Sequence, residues 1–190
     1  MMNNPEQTIG NMADKCSTVF ISYIDQEGFP ITKAMLKPRL REGINVFWFH
    51  TNTSSNKVRF FRENPRASIY FVNQRFFCGA SLAGTVEVLE TKEAKELLWR
   101  EGDTMYYKEG VTDPDYCVLK FTAIRGRYYS NFHSEDFKSL IFLMINSNEQ
   151  GQGCQWQVNG VPAVNIEHAW PCVYTVYPNG AQKERKCSAL

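Results

Sequence analysis

The chain has 190 residues, 43% of them hydrophobic and 22% charged, with a formal net charge of +1. Those values describe a globular chain long enough to bury a sizeable core, and they exclude a disordered, fibrous or strongly polyionic protein. No apolar run approaches the roughly 20 residues a membrane helix needs, and the start, Met-Met-Asn-Asn-Pro-Glu-Gln, lacks the basic and apolar stretches of a secretion signal, so the expectation is a cytoplasmic protein with no membrane contact.

Residues 5–14 read as a short N-terminal helix. Ser17–Ile24 alternates and is β-rich, Asp25–Gly28 supplies a hairpin turn, and Pro30–Leu36 returns as a second strand. Pro38–Asn45 reads as a charged turn before the aromatic strand Val46–His50. A short helix carries Lys57 in its first turn and stops at Asn64, because the residue before Pro65 is pushed out of the α region. Strands Ala67–Asn73 and Phe77–Leu89 follow, the second with Gly79 and Gly84 inside it, as at a bulge or close approach. Thr91 caps a helix of about ten residues, with Ala94, Leu97 and Leu98 on one face and Gly102 as its stop. Asp113-Pro114-Asp115 turns into the strand Tyr116–Ile124, which Tyr128, Tyr129 and Phe132 continue. Ser134 is expected to cap a further helix striped by Phe137, Leu140, Ile141 and Met144. Residues 146–160 read as a loop, 161–177 as one or two strands and 178–190 as a polar tail. The fold class is α+β, mainly antiparallel β, with helices flanking a small barrel. Residues 1–133 form the barrel domain and 134–190 an extension packed on it.

The most informative segment is Thr51-Asn-Thr-Ser-Ser-Asn-Lys57, which crowds hydroxyls, amides and an ammonium at the start of a helix. A helix N-terminus presents unpaired N–H groups and a partial positive charge, so an anion is favoured there. The same residues suit a plain N-cap serving its own backbone, and composition alone leaves both readings open.

Six cysteines, with no C-x-x-C pair, read as reduced thiols, and the three histidines do not sit at metal-ligand spacing with them. Residues 33–75 hold nine Lys/Arg against two Asp/Glu, whereas 87–115 hold four against nine. The basic residues interleave with strand aromatics rather than lining one helix face, so nucleic acid is not the expected partner. No Ser-His-Asp, Cys-His or paired-carboxylate arrangement is visible. Trp99, Tyr106 and Tyr107 either line a pocket or pack in a core or dimer interface.

The stretch from Thr51-Asn52 through Ser55-Asn56-Lys57 to Glu63-Asn64-Pro65-Arg66-Ala67-Ser68 resembles the pyridoxamine 5′-phosphate oxidase-like flavoproteins, most of all the general stress protein 26 group. Gly28-Phe-Pro-Ile-Thr-Lys-Ala-Met35 is similar to that family's G-x-P-x-x-R-P-M strand, and Leu82-Ala-Gly-Thr-Val-Glu87 to its V-x-G-x-A-E strand. The resemblance implies a split β-barrel that binds flavin mononucleotide (FMN) at a homodimer interface. It places Thr51, Ser55 and Lys57 on the phosphate, with Asn56 in support. Lys33 stands at the family's arginine position, and Lys33, Ala34 and Met35 run beside the flavin. Phe49 and His50 pass the ring by main chain. Lysine at 33 keeps the charge but loses the bidentate fork. The chain lacks the family's C-terminal Arg-x-His and Arg-Leu-x-Pro segments, so vitamin B6 oxidation is not expected.

The implied function is an FMN-dependent oxidoreductase that reduces a small organic acceptor with electrons from a nicotinamide donor, with the redox chemistry belonging to the flavin. The alternatives are a flavin-binding stress or sensor protein without turnover, and a relative holding a deazaflavin or haem in the same groove.

Overall fold

The computed structural model describes residues 4–131, 133–138, 157–158 and 161–162. The chain divides into two units, Met1–Asn146 and Ser147–Leu190, and the described part of the second is a hairpin of Gln157–Val158 and Val161–Pro162. The first unit opens with helix α1 (Pro5–Lys15), started by Asn4, whose side chain accepts from the Gln7 amide at 3.1 Å, and by Pro5 in the first turn. Then come β1 (Thr18–Ile24), β2 (Pro30–Leu36), β3 (Leu40–Glu42), β4 (Val46–Asn52), α2 (Asn56–Glu63), β5 (Arg66–Asn73), β6 (Cys78–Leu89), α3 (Lys92–Leu98), β7 (Tyr116–Ser130) and β8 (His133–Lys138).

All pairings are antiparallel, in the order β2-β1-β5-β6-β7-β4-β3. The sheet curls without closing. β7 pairs with β6 over most of its length, while its other edge holds β4 along residues 116–122 and β8 along 125–130. One long strand is thus shared between two neighbours along its second edge. The register shifts at Ala83/Gly84, where a Cβ on Gly84 would lie 1.9 Å from the Thr122 carbonyl oxygen. Only glycine allows that approach.

Period-two alternation sends one face of each strand into a common core. Val19 and Ile21, Phe47 and Phe49, Ile69 and Phe71, and Leu119 and Phe121 are all buried there, joined by Ile9 of α1 and by Val58 and Phe61 of α2. Each such side chain stabilises the fold by about 1.5–3 kcal/mol. A second cluster lies on the opposite face of β4 and β7, where Ala94 and Leu98 of α3 pack with Tyr107, Tyr116 and Val118.

Four sequence expectations need correction. The stretch 38–45 is not a plain turn: Leu40–Glu42 pairs with Val46–Trp48 around Gly43, whose φ is +59°. Helix α3 ends at Leu98 rather than Gly102, because Trp99 is extended and a separate 3₁₀ turn covers Glu101–Met105. Leu97 is 56% exposed, and Lys95 takes the inward place beside Ala94 and Leu98, its ammonium donating to the Asp113 carbonyl at 3.1 Å. Residues 134–138 are strand, not the start of a helix. The free edge of β7 supplies ladder partners there, Phe137 packs on the bare backbone of Gly126, and Arg127 pairs with Asp136 at 2.9 Å. A capped, amphipathic pattern yields to an open sheet edge. Phe132, Leu140, Ile141 and Met144 lie outside the described residues.

Candidate functional site

Strand β4 delivers the loop that opens α2. Its alternation points Phe49 (1% exposed) and Thr51 (7% exposed) inward, and Trp48 and His50 toward the second cluster. Thr51 stands opposite Cys117 of β7, whose buried thiol donates to the Thr51 carbonyl at 3.5 Å. Ser55 occupies the N-cap of α2, but its hydroxyl makes no capping bond; it accepts from the Lys57 ammonium at 3.1 Å. The first turn of α2 carries no acidic residue to offset the helix dipole.

Lys57 is the least ordinary residue here. It is 8% exposed and has no carboxylate partner among the described residues. Burial pulls its ammonium below the usual lysine range, and Lys33 on β2 lies near enough to push the same way. A buried cation and a helix N-terminus therefore meet with no carboxylate beside them, and Lys33 stands within electrostatic range. The Thr53 hydroxyl on the same loop is buried beside the Cys117 thiol. A buried ammonium without a counter-charge leaves an unmet electrostatic demand that a phosphate-type anion satisfies.

Of the residues read from sequence, the fold brings Ser55 and Lys57 together, with Thr51 beneath the loop and Lys33 of β2 within electrostatic range. Asn56 is exposed at the helix start. Among the described residues strand β2 is the sheet edge: Lys33 and Ala34 are exposed, while Met35 is half-buried against the core. The Phe49 side chain is sealed in the core, leaving only its main chain available to a ligand.

His50 faces the other way. Its Nε2 accepts from Arg39 at 3.1 Å, since guanidinium can only donate, which leaves the proton of the neutral ring on Nδ1, a buried atom without a partner. Arg39 also pairs with Asp103, a residue 2% exposed whose second oxygen accepts from the Arg100 amide at 3.0 Å. Burial first, and Arg39 second, hold His50 below the usual histidine range. The rings of Tyr107 and Tyr116 stand edge-on to His50 at 6.0 and 6.2 Å, and Trp99 completes this packing. Tyr107 and Trp99 thus serve the second cluster, whereas Tyr106 is 56% exposed.

Sequence reasoning missed three participants. Asp115 accepts from the Asn52 side chain and from the Ser54 amide, each at 2.7 Å, and its carbonyl accepts from the Thr53 amide at 2.9 Å. Arg39 and Asp103 anchor His50. In the sequence Asp115 stands in the Asp113-Pro114-Asp115 turn, which is also similar to a stretch of the general stress protein 26 group, and nothing local marks the other two. Among the described residues no group of three or more His, Cys, Asp or Glu is placed to hold a metal, and no helix is long and apolar enough to cross a membrane.

The family model described as pyridoxamine 5′-phosphate oxidase matches residues 6–130. The chain belongs to this family. The resemblance read from Thr51–Ser68, Gly28–Met35 and Leu82–Glu87 is borne out at that level. Among solved structures, a pyridoxinephosphate oxidase-family protein from Clostridium acetobutylicum, related to general stress protein 26 of B. subtilis, is 35% identical. That alignment covers 70% of this chain and 92% of the other, with a TM-score of 0.65. Two more distant solved structures also share the fold. One is an oxidase-related, FMN-binding protein from Nostoc punctiforme, at 13% identity, 71% and 90% coverage and TM-score 0.58. The other is a haem-binding protein from Mycobacterium smegmatis, at 15% identity, 76% and 62% coverage and TM-score 0.60. No curated protein sequence matches.

Proposed function

We propose that this pyridoxamine 5′-phosphate oxidase-family protein binds FMN, its phosphate held by Lys57, Ser55 and Thr51 at the start of α2, with Lys33 completing the positive end of the site. The observation that carries this reading is the burial of Lys57 without a carboxylate partner, beside a second lysine. Family membership and the FMN-binding relative from Nostoc punctiforme support the same choice. The open β2 edge leaves the flavin side of the groove uncovered, which a second copy of the chain would close as a homodimer.

With FMN bound, the cofactor supplies two-electron redox chemistry, and the chain supplies position and charge. The proposed activity is reduction of a small organic acceptor with electrons from NADH or NADPH. The haem reading has less support, because both described histidines are engaged through Nε2, His50 with Arg39 and His133 with Glu135. The test is an absorbance spectrum after adding FMN and removing the excess, followed by anaerobic addition of NADPH. Retained flavin bands that bleach and then recover with an acceptor support the reading. A colourless protein that retains no FMN overturns it.

A further inference from the structure

The phosphate loop holds its own turn through the Ser55 amide, which donates to the Asn52 carbonyl at 3.1 Å. Asn52 closes β4 opposite Tyr116, and residues 53–55 lead from there into the first turn of α2. The Ser55 hydroxyl, which would ordinarily tie the loop to the helix, is taken by Lys57. The remaining ties on the loop come from about sixty residues further along the chain. Asp115 receives three hydrogen bonds from three successive residues: the Asn52 side chain at 2.7 Å, the Thr53 amide at 2.9 Å and the Ser54 amide at 2.7 Å. The clamp is itself braced. The Asp115 amide donates to Asp113 Oδ1 at 2.9 Å, and the Asp113 carbonyl takes the Lys95 ammonium of α3 at 3.1 Å.

The geometry points to Asp115 as the positioning residue of the phosphate loop: it fixes the backbone of residues 52–54 so that Thr51, Ser55 and Lys57 meet one phosphate, and thereby sets the preference for a phosphorylated flavin. This inference rests on the FMN reading above. Asp115 touches no ligand in this scheme and acts through the loop. Its role has an unusual sign. A carboxylate near an anion site repels the anion, so if charge alone mattered, neutralising Asp115 would tighten phosphate binding. A positioning role predicts the opposite, because a loop set free must be reordered each time the ligand binds.

The experiment compares FMN with riboflavin, the same ring without the phosphate, by fluorescence titration of the full chain and of Asp115→Ala and Asp115→Asn. The wild type is expected to favour FMN. Asp115→Ala should lose about tenfold or more in FMN affinity while riboflavin binding stays within twofold. Asp115→Asn, which keeps the shape and one accepting oxygen, should recover part of the difference. Equal losses for both ligands would mean a general structural role and overturn the inference, as would an unchanged ratio or tighter FMN binding. A wild type that binds neither flavin, or both alike, would instead overturn the phosphate reading on which the inference stands. Circular dichroism of each variant confirms that the fold is retained, and Asp115→Asn carries the test if Asp115→Ala does not fold.

Discussion

Ser55 sits at the N-cap of α2, yet its hydroxyl accepts a hydrogen bond from the Lys57 ammonium at 3.1 Å and leaves the helix backbone uncapped. A residue type that ordinarily serves its own helix is here turned toward a cation. The arrangement costs the apo protein a cap and a desolvated charge, and a bound anion would offset both.

Lys57 therefore carries opposite effects on binding and stability. Lys57→Ala should weaken FMN retention by more than tenfold, since a charge-assisted phosphate contact is worth about 1.5–3 kcal/mol. Lys57→Met, which keeps the aliphatic stem and removes the buried charge, should raise the melting temperature of the FMN-free protein. Flavin titration and calorimetry on the same preparations read the two effects. Unchanged FMN affinity would remove Lys57 from the phosphate site.

The Arg39–Asp103 pair should behave as a buried unit. Asp103→Asn leaves Arg39 without its counter-charge, and about 2–4 kcal/mol of stability should be lost, because breaking one side of a buried pair strands the other. Replacing both, with Arg39→Met and Asp103→Leu, should cost less than the sum of the singles. Urea titrations over a double-mutant cycle measure the coupling.

His50 makes stability depend on pH. Its folded pKa lies below the ordinary 6.5, so the unfolded chain binds a proton more readily than the folded one. The stability it contributes is present above that ordinary value and is lost as pH falls below it. The melting temperature should decline from pH 7.5 to 5, and His50→Gln should flatten the decline. Parallel curves for the two proteins would assign the acid sensitivity elsewhere.

Gly84→Ala tests the bulge. The added Cβ would meet the Thr122 carbonyl oxygen at 1.9 Å, a backbone atom that cannot turn aside. The expected loss is roughly 3 kcal/mol or more, seen as insoluble expression or a much lower melting temperature. Gly102→Ala, where a Cβ meets nothing within 4 Å, serves as the control.

The parts of the molecule legible in the sequence were those written locally. The alternation of Val19, Ile21 and Tyr23, the Asn64–Pro65 stop and the hydroxyl-rich start of α2 each depend on neighbours within a few residues, and each appears as expected. The clamp of Asp115 on Ser54 and the salt bridge of Arg39 to Asp103 join residues more than sixty apart, and no spacing announces them. Leu97 and Lys95 exchanged their expected places because the Asp113 carbonyl offered the ammonium a partner that periodicity does not register. Residues 134–138 carry a sound helix start; only the vacant edge of β7, invisible in the local pattern, turns them into strand.

The dependence of residues 51–57 on β7 also sets an order of events during folding. β4 finds Tyr116–Thr122 only after some seventy intervening residues are in place, a slow, non-local closure. A nascent chain ending before Asp115 would hold every hydroxyl and lysine of the loop and still offer no cradle. A flavin bound as proposed would therefore stabilise the finished fold by mass action, but it would have nothing to grip while the first half of the chain is searching for its shape.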